Sequence, residues 1–171
     1  MSYVSIHTLS LSGDVDRVGE ASNASAFHMS IWKTLGMRRH GWLDDYRWFS
    51  DSSGNGPLEK LWASIKTLPR EEGLAMAATY DRCWFDWSLL DETIAALDAI
   101  DPFATTAGDV ANILRELKKQ TPARAFTFMS SLASSWRCQK ADSYHDLDFD
   151  AGVCRTCGLA DFESAGVIVH E

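Results

Sequence analysis

Four prolines, Pro57, Pro69, Pro102 and Pro122, cut the middle of the chain into pieces of helix length. Proline has no backbone N–H and a fixed φ, so it opens or ends a helix and seldom sits inside one. The pieces it leaves here carry helical periodicity. After Pro57, residues Leu58, Leu61, Trp62, Ile65 and Leu68 follow i, i+3, i+4, i+7 and i+10, a continuous apolar stripe. After Pro69, Glu71 and Glu72 put negative charge near the positive end of a helix dipole, ahead of an Ala- and Met-rich run from Leu74 to Tyr80. Ser88 with Asp91 reads as a capping box, and Leu89, Leu90, Thr93, Ile94, Ala96, Leu97 and Ile100 form a broad apolar face that Pro102 terminates. A further helix, from about Thr106 or Asp109 to Gln120, turns Val110, Ile113, Leu114 and Leu117 inward and ends on Lys118 and Lys119.

The flanks read differently. Residues 3 to 11 interleave branched or aromatic residues with small polar ones and stop at Ser12-Gly13-Asp14, the pattern of a strand and a turn. From Asn23 or Ser25, Phe27, Ile31 and Leu35 recur every fourth residue and Gly36 stands where a helix would end, which predicts about three turns. Residues 81 to 87 carry too many aromatics for a solvated loop. Phe126, Met129, Ala133 and Trp136 are helically spaced, although Phe126-Thr127-Phe128 equally suits the start of a strand. Gly166 to Val169 is a closing β-like run. The expected fold is α+β: a mainly helical single domain with a few strands from the N- and C-terminal ends, candidates to pair with each other. Its body spans 1–136, and 137–171 forms an acidic segment, either part of the same domain or a small appendix.

Composition limits the function classes. With 171 residues, 46% apolar and 23% charged, the chain can bury a core without a disulfide framework. A net charge of −8 works against nonspecific duplex binding, and the one short basic cluster, Met37-Arg38-Arg39-His40, soon meets Asp44-Asp45. No apolar run approaches membrane-spanning length, and Met1 to His7 lacks the features of a signal peptide. The expected location is the cytoplasm, where a cysteine is more often a ligand, a nucleophile or a buried thiol than half of a disulfide. The sequence contains no Gly-rich phosphate loop, Gly-x-Ser-x-Gly elbow, His-Glu-x-x-His helix or dinucleotide fingerprint.

The sharpest local motif is Cys154-Arg155-Thr156-Cys157-Gly158. Two thiolates separated by two residues can hold one tetrahedral ion from a tight turn, and a glycine after the second lets backbone amides approach the sulfurs. These five residues resemble the knuckle of zinc ribbons and rubredoxin-like sites. A ribbon has a second such pair; here Cys138 and His145 stand upstream, completing C-x6-H-x8-C-x2-C. Cys138, His145, Cys154 and Cys157 are therefore the candidate ligands of a structural zinc, with Cys83 or His170 as substitutes. Reduced thiols in a loop and a dithiol redox pair are the alternatives.

Two other groupings carry chemistry. His145, Asp146, Asp148 and Asp150 place an imidazole and three carboxylates in one short stretch, which suits a hydrolytic cation site or a solvated acidic loop. Cys83 is a buried thiol or, with His28 or His40, a nucleophile. Trp42, Asp44, Asp45, Tyr46 and Trp48 set aromatics among charges, as binding hot spots do. The expectation from the whole is a small acidic protein that binds another protein through these residues and Asp146, Asp148 and Asp150. It would act as a bacterial or phage accessory protein or inhibitor that covers a basic, nucleic-acid-binding surface of a host defence complex. A metal-dependent hydrolase and a CxxC dithiol oxidoreductase are the alternatives, catalysis being the less expected outcome.

Overall fold

The computed structural model describes residues 3–41, 57–80, 82–100, 105–120, 122–130, 137–138, 140–141, 143–148, 151–160 and 162–168. Trp42, Asp44, Asp45, Tyr46, Trp48, Asp150, Trp136 and His170 lie outside them. The fold mixes helix and sheet, with six α-helices and one five-stranded sheet among the described residues.

Strand β1 (Tyr3–Leu9) forms where the period-two run predicts it. It turns through Gly13 into β2 (Val15–Ser22), a strand that periodicity does not signal. The reason is that β2 is an edge strand with half of its residues exposed, and the two that pack on the large core, Val18 and Ala21, stand three residues apart around Gly19, so no period of two shows. The sheet order is β2-β1-β4-β3-β9, with β3 (Cys83–Asp86), β4 (Ala125–Ser130) and β9 (Glu163–Ser164). All pairings are antiparallel except β3 with β9. The two chain ends thus share a sheet without pairing with each other: β1 lies between β2 and β4, and β9 joins β3.

The helices cover one face of this sheet. Alternation along the strands decides which residues they meet: Val4, Ile6, Phe85, Phe126 and Phe128 point into the large core with Phe27, Ile31, Leu35, Leu74, Leu97, Val110 and Leu114. Phe85 stacks on Phe126 with ring centroids 5.1 Å apart and meets Phe128 edge-on at 5.2 Å. Such contacts add about 0.5–1.5 kcal/mol per pair beyond area burial. Residues 125–130 are therefore strand, not helix; their pairing on both sides overrides the helical spacing of Phe126 and Met129. Trp84 is buried, and Trp32, Trp62 and Trp87 pack half-buried against the core.

Several helix limits differ from expectation. Helix α1 (Ala24–His40) runs past the buried Gly36 to Gly41, whose left-handed φ of 63° caps it. Tertiary contacts hold the extra turn: Arg38 donates to the carbonyls of Ala99 and Ile100 at 2.9 and 3.0 Å, and Arg39 Nε to Glu72 Oε2 at 2.5 Å. The stripe after Pro57 is broken into α2 (Pro57–Ala63) and a 3-10 turn at Ile65–Thr67, because Ser64 turns its hydroxyl onto the Leu61 carbonyl. Helix α3 (Arg70–Ala77) follows the acidic start as predicted. Ahead of α4 (Leu90–Ile100) comes a 3-10 turn capped by Asp86, which accepts from the Ser88 N–H at 2.9 Å, so Asp86 and not a Ser88–Asp91 box opens this region. Helix α5 (Thr105–Lys118) packs on α4, where Asp98 pairs with Arg115 and Asp91 with Lys118. Over its described residues the closing run is helix, not strand: α6 (Ala165–Ile168) is a single turn, with Ala165 buried and Val167 exposed, and Val169 lies outside the described residues.

Candidate metal centre

Trp84, Ala125 and Met129 face away from the helices, together with Leu9. The Cys-bearing segment covers them, so Cys138, Leu147, Cys154 and Phe162 complete a second, smaller core on the other face of the sheet. The segment's described residues include two short antiparallel hairpins, β5 (Arg137–Cys138) with β6 (Ser143–Tyr144), and β7 (Leu147–Asp148) with β8 (Val153–Cys154).

Each hairpin delivers part of one cluster. Cys138 sits on β5, His145 between β6 and β7, Cys154 on β8, and Cys157 in the turn that follows. Their ligand atoms all lie within 4.8 Å of one another, close enough to hold a metal ion. Cys138, His145 and Cys154 are 4%, 3% and 1% exposed, while Cys157 is half-buried. Cys157 Sγ lies 3.4 Å from His145 Nδ1, and the His145 ring meets Phe162 edge-on at 5.0 Å, which fixes its plane.

The backbone of the turn is shaped around the sulfurs. Cys154 N–H donates to the Leu159 carbonyl at 2.9 Å, Gly158 N–H to the Cys154 carbonyl at 2.8 Å, and Gly158 has the left-handed φ of 74°. Burial pushes the Cys154 thiol up, but hydrogen bonds from the Cys157 backbone, the His145 side chain and the Thr156 backbone outweigh it and bring the thiol down to about 6. For Cys157 a hydrogen bond from the Leu159 backbone pulls down, yet burial and the neighbouring Cys154 and Cys138 thiols leave it raised.

Gly152 is a second requirement that spacing did not reveal. It has φ 63°, and a Cβ there would stand 2.8 Å from the Phe162 carbonyl oxygen and 3.9 Å from Trp84. The hairpin β7–β8 can lie on the sheet because this position has no side chain. Phe162, too, carries no sequence signal for its place beside His145.

The other candidates are distributed differently. Asp146 and Asp148 stand outside the thiol cluster: Arg155 Nη1 lies 3.2 Å from Asp146 Oδ1, and Arg155 Nε 3.7 Å from Asp148 Oδ2. His145, grouped with them by sequence, is on the thiol side. Cys83 belongs to the helix-side core, wholly buried, and burial raises its thiol well above the ordinary value, which suits a packed group rather than a nucleophile. His28, half-buried against Trp32 at 5.3 Å, is lowered to about 4 by burial. Among the described residues no helix is long and apolar enough to cross a membrane. Comparison with protein-family models, curated proteins and solved structures finds no match to this chain.

Proposed function

We propose that Cys138, His145, Cys154 and Cys157 hold one structural zinc ion, and that the protein works by binding another macromolecule rather than by catalysis. The carrying observation is the donor set: three thiols and one imidazole, mostly buried, with all ligand atoms within 4.8 Å. Soft sulfur donors with imidazole select zinc, and four protein ligands fill its tetrahedral shell. A filled shell leaves no position for water or substrate, so the ion's role is to tie the two hairpins and the Cys157 turn to one another in the shape that covers the second face of the sheet. Reduced thiols of this kind fit a cytoplasmic setting.

The macromolecular role rests on charge. A net charge of −8 suits a partner with a basic surface, such as a nucleic-acid groove, which carboxylates occupy in competition with phosphates. An accessory protein or inhibitor of bacterial or phage origin acting on a host defence complex is one such case. The hydrolase reading has less support, since Asp146 and Asp148 engage Arg155 rather than the cluster. The dithiol reading keeps one supporting observation, the lowered Cys154 thiol.

Elemental analysis of protein purified without added metal or chelator tests the first part, with a Cys154→Ser/Cys157→Ser variant alongside. About one zinc per chain, lost in the variant, is the expected result; metal-free protein whose Cys154 and Cys157 cycle readily between dithiol and disulfide would select the redox reading instead. For the second part, affinity for a basic partner should fall steeply with salt, and salt-independent binding would remove the electrostatic argument.

A further inference from the structure

Burial is uneven around the cluster. Cys138 and Cys154 are 4% and 1% exposed and rooted in the small core, whereas Cys157 sits half-buried at the surface of a turn. A soluble reagent therefore reaches Cys157 before the other sulfurs. A resolving partner stands in the same turn, because Cys154 lies three residues back and the turn is closed by the Gly158 N–H to Cys154 carbonyl bond at 2.8 Å. A bridge between these two forms within one turn, while a bridge to Cys138, whose sulfur also lies within 4.8 Å, would join two separate strands and so needs both backbones to take up the disulfide geometry.

We propose that this centre is an oxidation-sensitive latch: a peroxide converts Cys154 and Cys157 to a disulfide, expels the metal, and releases the hairpins from the second face of the sheet. The inference rests on the zinc reading above. The chemistry balances. The Cys157 thiolate attacks the O–O bond of hydrogen peroxide, giving a sulfenic acid and hydroxide. The Cys154 thiolate then attacks that sulfur and displaces a second hydroxide, so two thiolates lose two electrons and peroxide gains them. The zinc ion, left with Cys138 and His145, departs, and Cys138 takes a proton from water. What it releases has mechanical meaning: Leu147, Cys154 and Phe162 cover Leu9, Trp84, Ala125 and Met129, an apolar surface that the freed segment no longer holds covered.

The test uses the full-length, zinc-loaded protein, with its zinc content measured first. Hydrogen peroxide is titrated in while released zinc is followed with a chromogenic chelator, and the product is examined by intact mass, peptide mapping and amide hydrogen exchange. Expected are about one zinc released per chain, a loss of two hydrogens mapped to a Cys154–Cys157 bridge, faster exchange at Leu147 and Cys154, and recovery with dithiothreitol and zinc. A Cys157→His variant keeps four ligands but cannot form the bridge, and should release zinc at least about tenfold more slowly. Zinc retained while Cys157 is overoxidised, or a bridge that maps to Cys138, overturns the latch and leaves the zinc reading standing. Protein with no zinc before oxidation removes the zinc reading and the latch with it. Mapping on the wild-type chain decides the matter even where the variant does not fold.

Discussion

Acidifying the protein should remove stability that His7 supplies while it is neutral. His7 sits on β1, 1% exposed, opposite Arg17 on β2, and burial first and Arg17 second lower it from 6.5 to about 4. The unfolded chain therefore takes up a proton as the pH falls through 6.5, while the folded chain resists until about 4. Protons bound preferentially by the unfolded state make stability rise with pH, so the contribution is fully present above 6.5 and is lost on descending towards 4. Each pH step of one over which only the unfolded chain holds this proton is worth about 1.4 kcal/mol, so the loss between about pH 7 and about pH 5 comes to about 2 kcal/mol for this residue. The assay is urea unfolding across that range for wild type and His7→Gln, which is neutral throughout. Every other ionisable group is common to both proteins, so the difference between the two curves isolates His7. The gap should close by about 2 kcal/mol on acidification, and parallel curves would refute the reasoning.

Four further outcomes follow from the same structure. Gly152→Ala should lower both thermal stability and zinc affinity by about 2 kcal/mol or more in the bound form, from left-handed strain and the clash with the Phe162 carbonyl, and normal affinity by chelator competition would contradict that placement. Phe126→Ala, which removes a fully buried ring stacked on Phe85, should cost about 3–5 kcal/mol in denaturant unfolding, and a cost below about 1 kcal/mol would show that the aromatic cluster is not the centre of the core. Asn23 caps α1 from a left-handed φ of 69° and accepts from the Ala26 N–H at 3.0 Å, so Asn23→Ala should destabilise by about 1–2 kcal/mol and Asn23→Gly by less; the reverse order in thermal melts would rule out the backbone explanation. Asp146→Asn with Asp148→Asn should leave zinc content unchanged and shift stability by less than about 1 kcal/mol, because the pair with Arg155 is exposed; loss of the metal would place these carboxylates in the site.

The candidate metal centre was legible in the sequence because ligand chemistry resides in residue type and local spacing. A Cys-x-x-Cys turn followed by Gly158 suits soft-metal coordination, and within the acidic tail Cys138 and His145 are the upstream thiol and imidazole that complete four. Helices α3, α4 and α5 were legible for a similar reason, each being long enough for apolar periodicity and charge placement to agree. What spacing does not carry is the choice among partners. Whether Phe126-Thr127-Phe128 is helix or strand depends on β1 and β3 lying on either side of it, and Gly166 to Ile168 becomes a helical turn once β9 has ended beside β3. The extra turn of α1 depends on carbonyls sixty-one and sixty-two residues away that Arg38 reaches, and the position of the four donors depends on a sheet face that needs a cover. Sequence alone determined the donors and the stronger helices, since both follow from neighbours within a few residues. Tertiary structure decided the strand order, the need for Gly152 and Phe162, and the docking of the Cys-bearing hairpins on Leu9, Trp84 and Met129, because burial of a sheet face is a property of segments far apart in the chain.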